Sequence, residues 1–304
     1  MSVTETIAIR TAETRRASSG IGQFVRAILR SKSGSLGWLV LMVMVLTALL
    51  APVLSPHDPL AQDLSRRAGA PTISLSGLGP YPLGNDQLGR DMLSRLIYGS
   101  RVSLLVGVAV VTLGGSVGVI LGILAGYLGG WTERIIMRLV DIQLAFPLIL
   151  LALSIVAVLG PSLQNLVVAL ALTGWVSYAR IVRAEVLSLR EREFVQAART
   201  LGATGRRIAF RHILPNVVAP ATVVATLELA RVVILEAALS FLGLGIQPPT
   251  PSWGRMLADG RDFIATAWWL ATFPGLAIML LVLSVNLVGD WLRDYFDPRL
   301  RRAR

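Results

Sequence analysis

The chain has 304 residues, 54% of them hydrophobic and 15% charged, with a mean hydropathy of +0.66 and a formal net charge of +11. A soluble domain carries about a quarter charged residues, so this is a membrane composition; the arginines sit at the ends of apolar runs, which excludes a nucleic-acid surface as the reason for the charge. The absence of cysteine excludes disulfides, thiolate metal sites and cysteine nucleophiles, and the two histidines, His57 and His212, stand far apart outside any metal-binding frame, so neither a metal nor a cofactor is expected.

A membrane span needs about 20 mostly apolar residues. Residues 1–35 are polar and basic and lack a continuous apolar core, which predicts a cytoplasmic segment with no cleaved leader; residues 1–25 have no apolar period and are expected to be flexible. Residues 36–54 form an uncharged stretch of 19 and predict the first transmembrane helix. In the extracytoplasmic segment 55–101, Asp86, Arg90, Asp91 and Arg95 have the i, i+4 and i+5 spacings of a short amphipathic helix. Its charges either cap one another or meet a soluble protein. The uncharged run 102–132 is the second span, and Gly114, Gly118, Gly122 and Gly126 recur along one of its faces, where small residues let another backbone approach closely. That stripe fits a bundle centre or a subunit contact, and equally packing within the chain.

Residues 142–179 are uncharged but too long for one span, and Gly160-Pro161 cuts them in two. Asp141, at the entrance of the third span before Phe146-Pro147, is read as structural. Residues 217–244 and 263–289 predict the fifth and sixth spans, so that 102–289 forms a five-helix core and 290–304 a tail. The fifth span holds Glu228, Arg231 and Glu236, and charges at bilayer depth cost roughly 2.5–3.5 kcal/mol each on insertion scales. Glu228 and Arg231 are three apart and can pair. That pair either lines a polar pathway or is a self-neutralised structural pair facing the bundle; Glu236 has no evident local partner, which makes it the stronger pathway candidate.

Lysine and arginine bias sets the orientation. Residues 1–35, 129–141, 183–216 and the tail from 290 together hold twenty, against seven in 55–101 and 245–262. Both termini and the loop 183–216 are therefore expected to be cytoplasmic. Within that loop, residues 191–201 read as a short amphipathic helix with Phe194, Val195, Ala198 and Leu201 on one face. Gly202 suits the left-handed position that ends such a helix, residues 208–212 can begin a new turn, and Pro215 fits the first turn of the next span. Helix, tight turn, short helix and membrane in succession make a small knob that a partner's groove could receive.

The run Gln196-Ala197-Ala198, three residues, Gly202, and then Leu214-Pro215 resembles the EAA loop of ABC importer permeases, with Gln196 in place of a glutamate and His212 in place of an isoleucine. Three further blocks resemble the dipeptide, oligopeptide, glutathione and nickel group, and most of all its C-type subunit. They run from Tyr81 through Gly84, Asp86, Gly89, Arg90 and Asp91 to Arg101, from Leu239 through Gly243, Gly245 and Pro248 to Gly254, and from Gly289 through Asp290 and Asp297 to Arg299. The resemblance covers about residues 80–299. It implies an all-α bundle of six transmembrane helices, the type I importer permease fold, with cytoplasmic N and C termini, in a bacterial inner membrane. It further implies half of a translocation pathway for peptides, or for glutathione or nickel chelates. The implied partners are a homologous second permease, two ABC ATPase subunits, an extracytoplasmic substrate-binding protein and membrane lipid. Carried over by position, Glu193, Gln196, Ala197, Ala198, Gly202, Arg206, Arg207, Leu214 and Pro215 form the ATPase-coupling loop.

The chain has no GxxxxGK[ST] phosphate loop, so hydrolysis is expected in a partner. An ion-coupled secondary transporter would leave the knob unexplained, and no inverted repeat is visible. An intramembrane enzyme would need a nucleophile and base or a metal cluster at depth. No Cys or His lies in a span, the single lysine is Lys32, and Gly243 and Gly245 make only a weak Gly-x-Gly.

Overall fold

The computed structural model describes residues 20–74 and 77–296. Helix α1 (Gly20–Arg30) runs into α2 (Lys32–Leu49), whose start is capped by Ser31, the hydroxyl accepting from the Gly34 N–H at 3.2 Å. Of residues 1–25, expected to be flexible, 1–19 lie outside the described residues and 20–25 are instead the first half of α1. Phe24 packs edge-on against Trp38 and Trp291, the latter near the other end of the chain, so long-range contacts supply an order that local sequence does not. After a short α3 (Ala51–Leu54) come a one-turn 3-10 helix and a ribbon in which β1 (Ile73–Ser74) pairs antiparallel with β2 (Gly77–Leu78).

Helix α4 (Met92–Leu128) is 37 residues long. It begins ten residues before the expected second span because Asp91 caps it, accepting from the Ser94 N–H at 3.0 Å, and it ends where Gly129 and Gly130 take φ of +64° and +56°. The stretch 129–141, expected as a loop between the second and third spans, is mostly helix α5 (Gly130–Leu144). A 90° bend separates α5 from α6 (Leu148–Leu159). Pro147 sits at the bend, where its ring disfavours helical geometry in the residue before it. Gly160, with φ +88°, ends α6, and the Ser162 hydroxyl starts α7 (Leu163–Arg190) by accepting from the Asn165 N–H; the cut expected at Gly160-Pro161 lies here.

Helices α8 (Glu193–Thr200) and α9 (Gly205–Ile208) form the loop after α7, and a π-helical turn over Ala209–Ile213 joins α9 to α10 (Leu214–Phe241). Helix α11 (Trp253–Arg261) lies between α10 and α12 (Trp269–Phe296). The sixth span is thus displaced from 263–289: residues 262–268 close into turns, and α12 runs on past Asp290 and Arg293. Among the described residues five helices are long and apolar enough to cross a membrane, and the bent α5–α6 pair makes a sixth crossing if taken as one.

Helix α4 packs lengthwise on α7, and α10 packs on α12 and α4. The four glycines lie on the first seam. A Cβ on Gly114 would stand 3.1 Å from the Ala171 carbonyl oxygen, and one on Gly122 or Gly126 would stand 2.8 Å from Val182 or Val186. On Gly118 it would press into the carbonyl oxygen of Trp175. The stripe is therefore a seam between two helices of the same chain, where glycine lets the backbones approach to contact. Buried side chains fill the bundle on either side, among them Val106, Leu166, Leu170 and Leu239 in one cluster and Met92, Trp253, Leu281 and Val285 in another.

Candidate functional site

The loop between α7 and α10 is built as a rigid projection. After α8 the Gly202 N–H bonds the Arg199 carbonyl and the Ala203 N–H bonds the Ala198 carbonyl, both at 3.0 Å. With Gly202 at φ +80°, this is the paired closure of a Schellman turn. The Thr204 hydroxyl then opens α9 by accepting from the Arg207 N–H. Gln196 Nε2 donates to the Arg190 carbonyl at 3.0 Å, tying α8 to the end of α7. A glutamate there could not make this bond while ionised, because a carboxylate only accepts. Below the loop, Val182, Val186, Leu189, Val195, Ile208 and Ile213 form one buried cluster, and Arg183 binds Glu133 of α5, with Nε donating at 2.8 Å.

Only part of the expected apolar face of α8 is used for that anchorage. Val195 is buried and Ala198 half-buried, whereas Phe194 is exposed and Leu201 is 87% exposed. The helix stands on one edge, so positions 194 and 201 project outward although they share a stripe with 195 and 198. Ala197, Gly202, Arg206 and Arg207 are exposed as well, Glu193 and Pro215 likewise, and Leu214 is half-buried. Phe210, 71% exposed, borders an apolar groove of about 690 Å³ that runs between the last turns of α4 and α9, lined by Ile123, Tyr127, Gly205 and Leu214 among others. The projection thus presents apolar side chains and five exposed arginines, Arg192, Arg199, Arg206, Arg207 and Arg211, on a braced base.

The intramembrane charges divide differently from expectation. Arg231 Nη1 lies 3.6 Å from Glu228 Oε1, the pair proposed by their spacing, with the arginine half-exposed. Glu236, expected to lack a partner, has two: Ser240 donates to Oε1 at 2.8 Å and Ser103 of α4 to Oε2 at 3.2 Å. At 1% exposure it lies between α10 and α4, not on a surface of the chain. We therefore expect Glu236→Gln to keep the fold, because the serine hydroxyls can turn to accept as well as donate. Glu236→Leu removes the acceptor of both buried hydroxyls, leaving Ser103 unpaired while Ser240 keeps the Ile246 N–H at 3.3 Å, and should lose about 1–3 kcal/mol. Thermal unfolding of the two variants in detergent separates these outcomes, and equal melting temperatures would refute the assignment.

At the other end of α4, Asp86, Arg90, Asp91 and Arg95 are all buried. They do not form the amphipathic helix their spacing suggested. Gly84 and Gly89, at φ +77° and +74°, fold residues 84–91 into tight turns, and the helix begins only at Met92. The Asp86 carboxylate takes the Leu88 and Arg90 backbone N–H groups and the Arg90 Nε at 2.8, 3.0 and 2.6 Å, and Arg95 Nε lies 3.2 Å away. Trp269 donates to the Asn85 carbonyl, binding these turns to α12, and Trp253 donates to that of Leu96, binding the start of α4 to α11. The mutual capping expected from the spacing is present in the Asp86–Arg90 pair, but the burial was not legible because the two tryptophans stand more than 150 residues away. Asp297 and Arg299 of the last resembling block lie outside the described residues.

Residues 118–302 match the family described as binding-protein-dependent transport system inner membrane component. Residues 20–71 match the N-terminal TM domain of oligopeptide transport permease C. The chain is 45% identical to a di/tripeptide transport system permease protein of Pseudomonas aeruginosa, over 94% of each chain. It is 44% identical to a dipeptide transport system permease protein of Alkalihalophilus pseudofirmus, over 90% of this chain and 88% of that one. To a glutathione transport system permease protein of Pectobacterium atrosepticum it is 41% identical, over 92% and 91%. In fold it is similar to a chain of the MetNI methionine ABC transporter in an inward-facing conformation, with a TM-score of 0.56 at 20% identity, covering 68% of this chain and 98% of that one.

Proposed function

We infer the function from one premise: the chain belongs to the family of binding-protein-dependent transport system inner membrane components. It is a multi-pass membrane permease subunit of an ABC importer rather than an enzyme, and ATP hydrolysis falls to a separate subunit. The cargo is a di- or tripeptide. The observation that carries this reading is the near-full-length likeness to the di/tripeptide permease, and the glutathione permease relative makes a γ-linked tripeptide the second cargo to test.

The projection formed by α8, the Gly202 turn and α9 is the ATPase-coupling loop. Its braced base, its exposed Leu201 and Phe210 and its exposed arginines support that assignment, since a lever must transmit motion without bending and must offer its partner a face. The excess of lysine and arginine on the side of 183–216 supports a cytoplasmic position for this loop and both termini. The other half of the pathway is a homologous permease, with two ATPases beneath and an extracytoplasmic binding protein above. Glu228 and Arg231 are the remaining pathway candidates, and Glu236 is an internal anchor.

Purification of the tagged chain in mild detergent tests the reading. Co-purification of a second permease and phosphate-loop ATPases, with ATPase activity in the eluate, is the expected result. A homo-oligomer with no ATPase would overturn it.

A further inference from the structure

A polar pocket of about 130 Å³ opens between the turns of residues 87–90 and the loop that leads into α11, walled by Arg90, Arg95, Arg255, Asp259, Pro249 and Thr250 among others. It lies near the start of α4. Tyr127, 32 residues further along the same helix, packs at Gly205 of the coupling loop, so the two sites are separated by about 48 Å of helix. The acidic groups around the pocket are engaged, except that Asp91 Oδ1 is buried without a hydrogen-bond partner. Asp86 accepts from three N–H groups, Asp91 from the Ser94 N–H and hydroxyl with His57 Nδ1 at 3.4 Å, and Asp259 faces Arg255 Nε at 3.0 Å. The guanidiniums are less committed. Arg95 is 3% exposed, and its Nε and Nη1 make no hydrogen bond; nor does Arg255 Nε, itself buried. Their contacts to Asp86 and Asp259 are ion pairs without an aligned N–H···O. Three guanidiniums thus border a pocket with one carboxylate in its wall and a second, Asp86, just behind it.

We propose that this pocket receives the α-carboxylate of the peptide cargo at the mouth opposite the coupling loop. Planar guanidinium forks match a carboxylate in two parallel N–H···O bonds, and unpaired buried N–H groups favour a ligand that accepts. The volume admits a carboxylate with a small terminal side chain but not a whole peptide, so it holds one end and leaves the rest of the cargo unread. The assignment rests on the peptide reading above.

The test is binding to the full chain in lipid nanodiscs at fixed ionic strength, with four probes: acetate, dialanine, dialanine amide, and N-acetyl-aspartate amide as a side-chain carboxylate. Dialanine should bind, dialanine amide at least tenfold more weakly, and Arg255→Gln should lose the difference, with Arg95→Gln as a second, more buried variant. Equal binding of dialanine and its amide, no binding of dialanine, or no effect of Arg255→Gln would overturn the proposal. So would N-acetyl-aspartate amide binding as well as dialanine, since that points to an acidic side chain of a docked protein. Acetate binding that depends on Arg255 while cells take up no peptide would instead refute the peptide reading and leave a carboxylate pocket, so the two failures are distinguishable.

Discussion

Gly118→Leu will prevent α4 and α7 from closing, and little folded protein will be recovered from the membrane. A Cβ at Gly118 collides with the carbonyl oxygen of Trp175, the Cβ of Tyr178 at 2.6 Å and the Ala179 nitrogen at 3.2 Å. Two of these three are backbone atoms of the facing helix, which no rotamer change can move. Overpacking costs about 1–3 kcal/mol where side chains can yield and more where they cannot, and here the whole seam from Gly114 to Gly126 must separate to make room. Gly174, on the facing helix, has nothing within 4 Å of an added Cβ, so Gly174→Ala is the control and should be neutral or gain about 1 kcal/mol of helix propensity. Expression yield and monodispersity in detergent read both. A Gly118→Leu protein that elutes and melts like the unaltered chain would show that the seam is not as tight as its geometry states.

Gly202→Val should give the opposite pattern: a protein that inserts and folds, yet transports dipeptide at least tenfold more slowly. An added Cβ at Gly202 meets nothing within 4 Å, so the effect cannot be a clash. It comes from the backbone, held at φ +80°, where a β-branched residue costs on the order of 1–3 kcal/mol. The cheapest relief is to open the Schellman turn, which frees the Ala198 and Arg199 carbonyls and lets α8 swing on Gln196. Because the cluster of Val186, Val195 and Ile208 sits beneath the turn, the bundle remains intact while the exposed face changes direction. Asparagine tolerates the left-handed region better than valine, so Gly202→Asn should restore most uptake. Peptide uptake in cells, with co-purified ATPase measured in parallel, checks the series. Normal uptake by Gly202→Val would remove this turn from the coupling path.

Much of this arrangement was legible in the residues themselves. The number of membrane crossings follows from apolar runs long enough to span, and the stops at Gly160 and Gly202 follow from the one residue that enters positive φ without a side-chain penalty. These depend on neighbours in sequence, and so does the knob they delimit. The Gly114–Gly126 stripe was equally visible as a surface for close approach, but its partner was not: a face of small residues is the same whether the facing backbone belongs to this chain or to another.

The sequence by itself therefore determined the apolar runs, the stops at Gly160 and Gly202 and the conformation of the coupling turn, since hydrophobic period and backbone freedom are local quantities, whereas the early start of α4, helix α5 and its 90° bend into α6 emerged only in the structure. Tertiary structure alone decided which polar groups distant in sequence meet. Glu236 looked solitary although Ser240 stands one turn away on its own helix; its second partner, Ser103, lies 133 residues away and needed the packed bundle. Phe24 gained its order from Trp38 and Trp291, and Asp86 to Arg95 became a buried knot instead of an exposed helix because Trp253 and Trp269 fold over it. A buried charge must be satisfied by whatever the packed helices bring within hydrogen-bond reach, and that is fixed only when distant segments have come together.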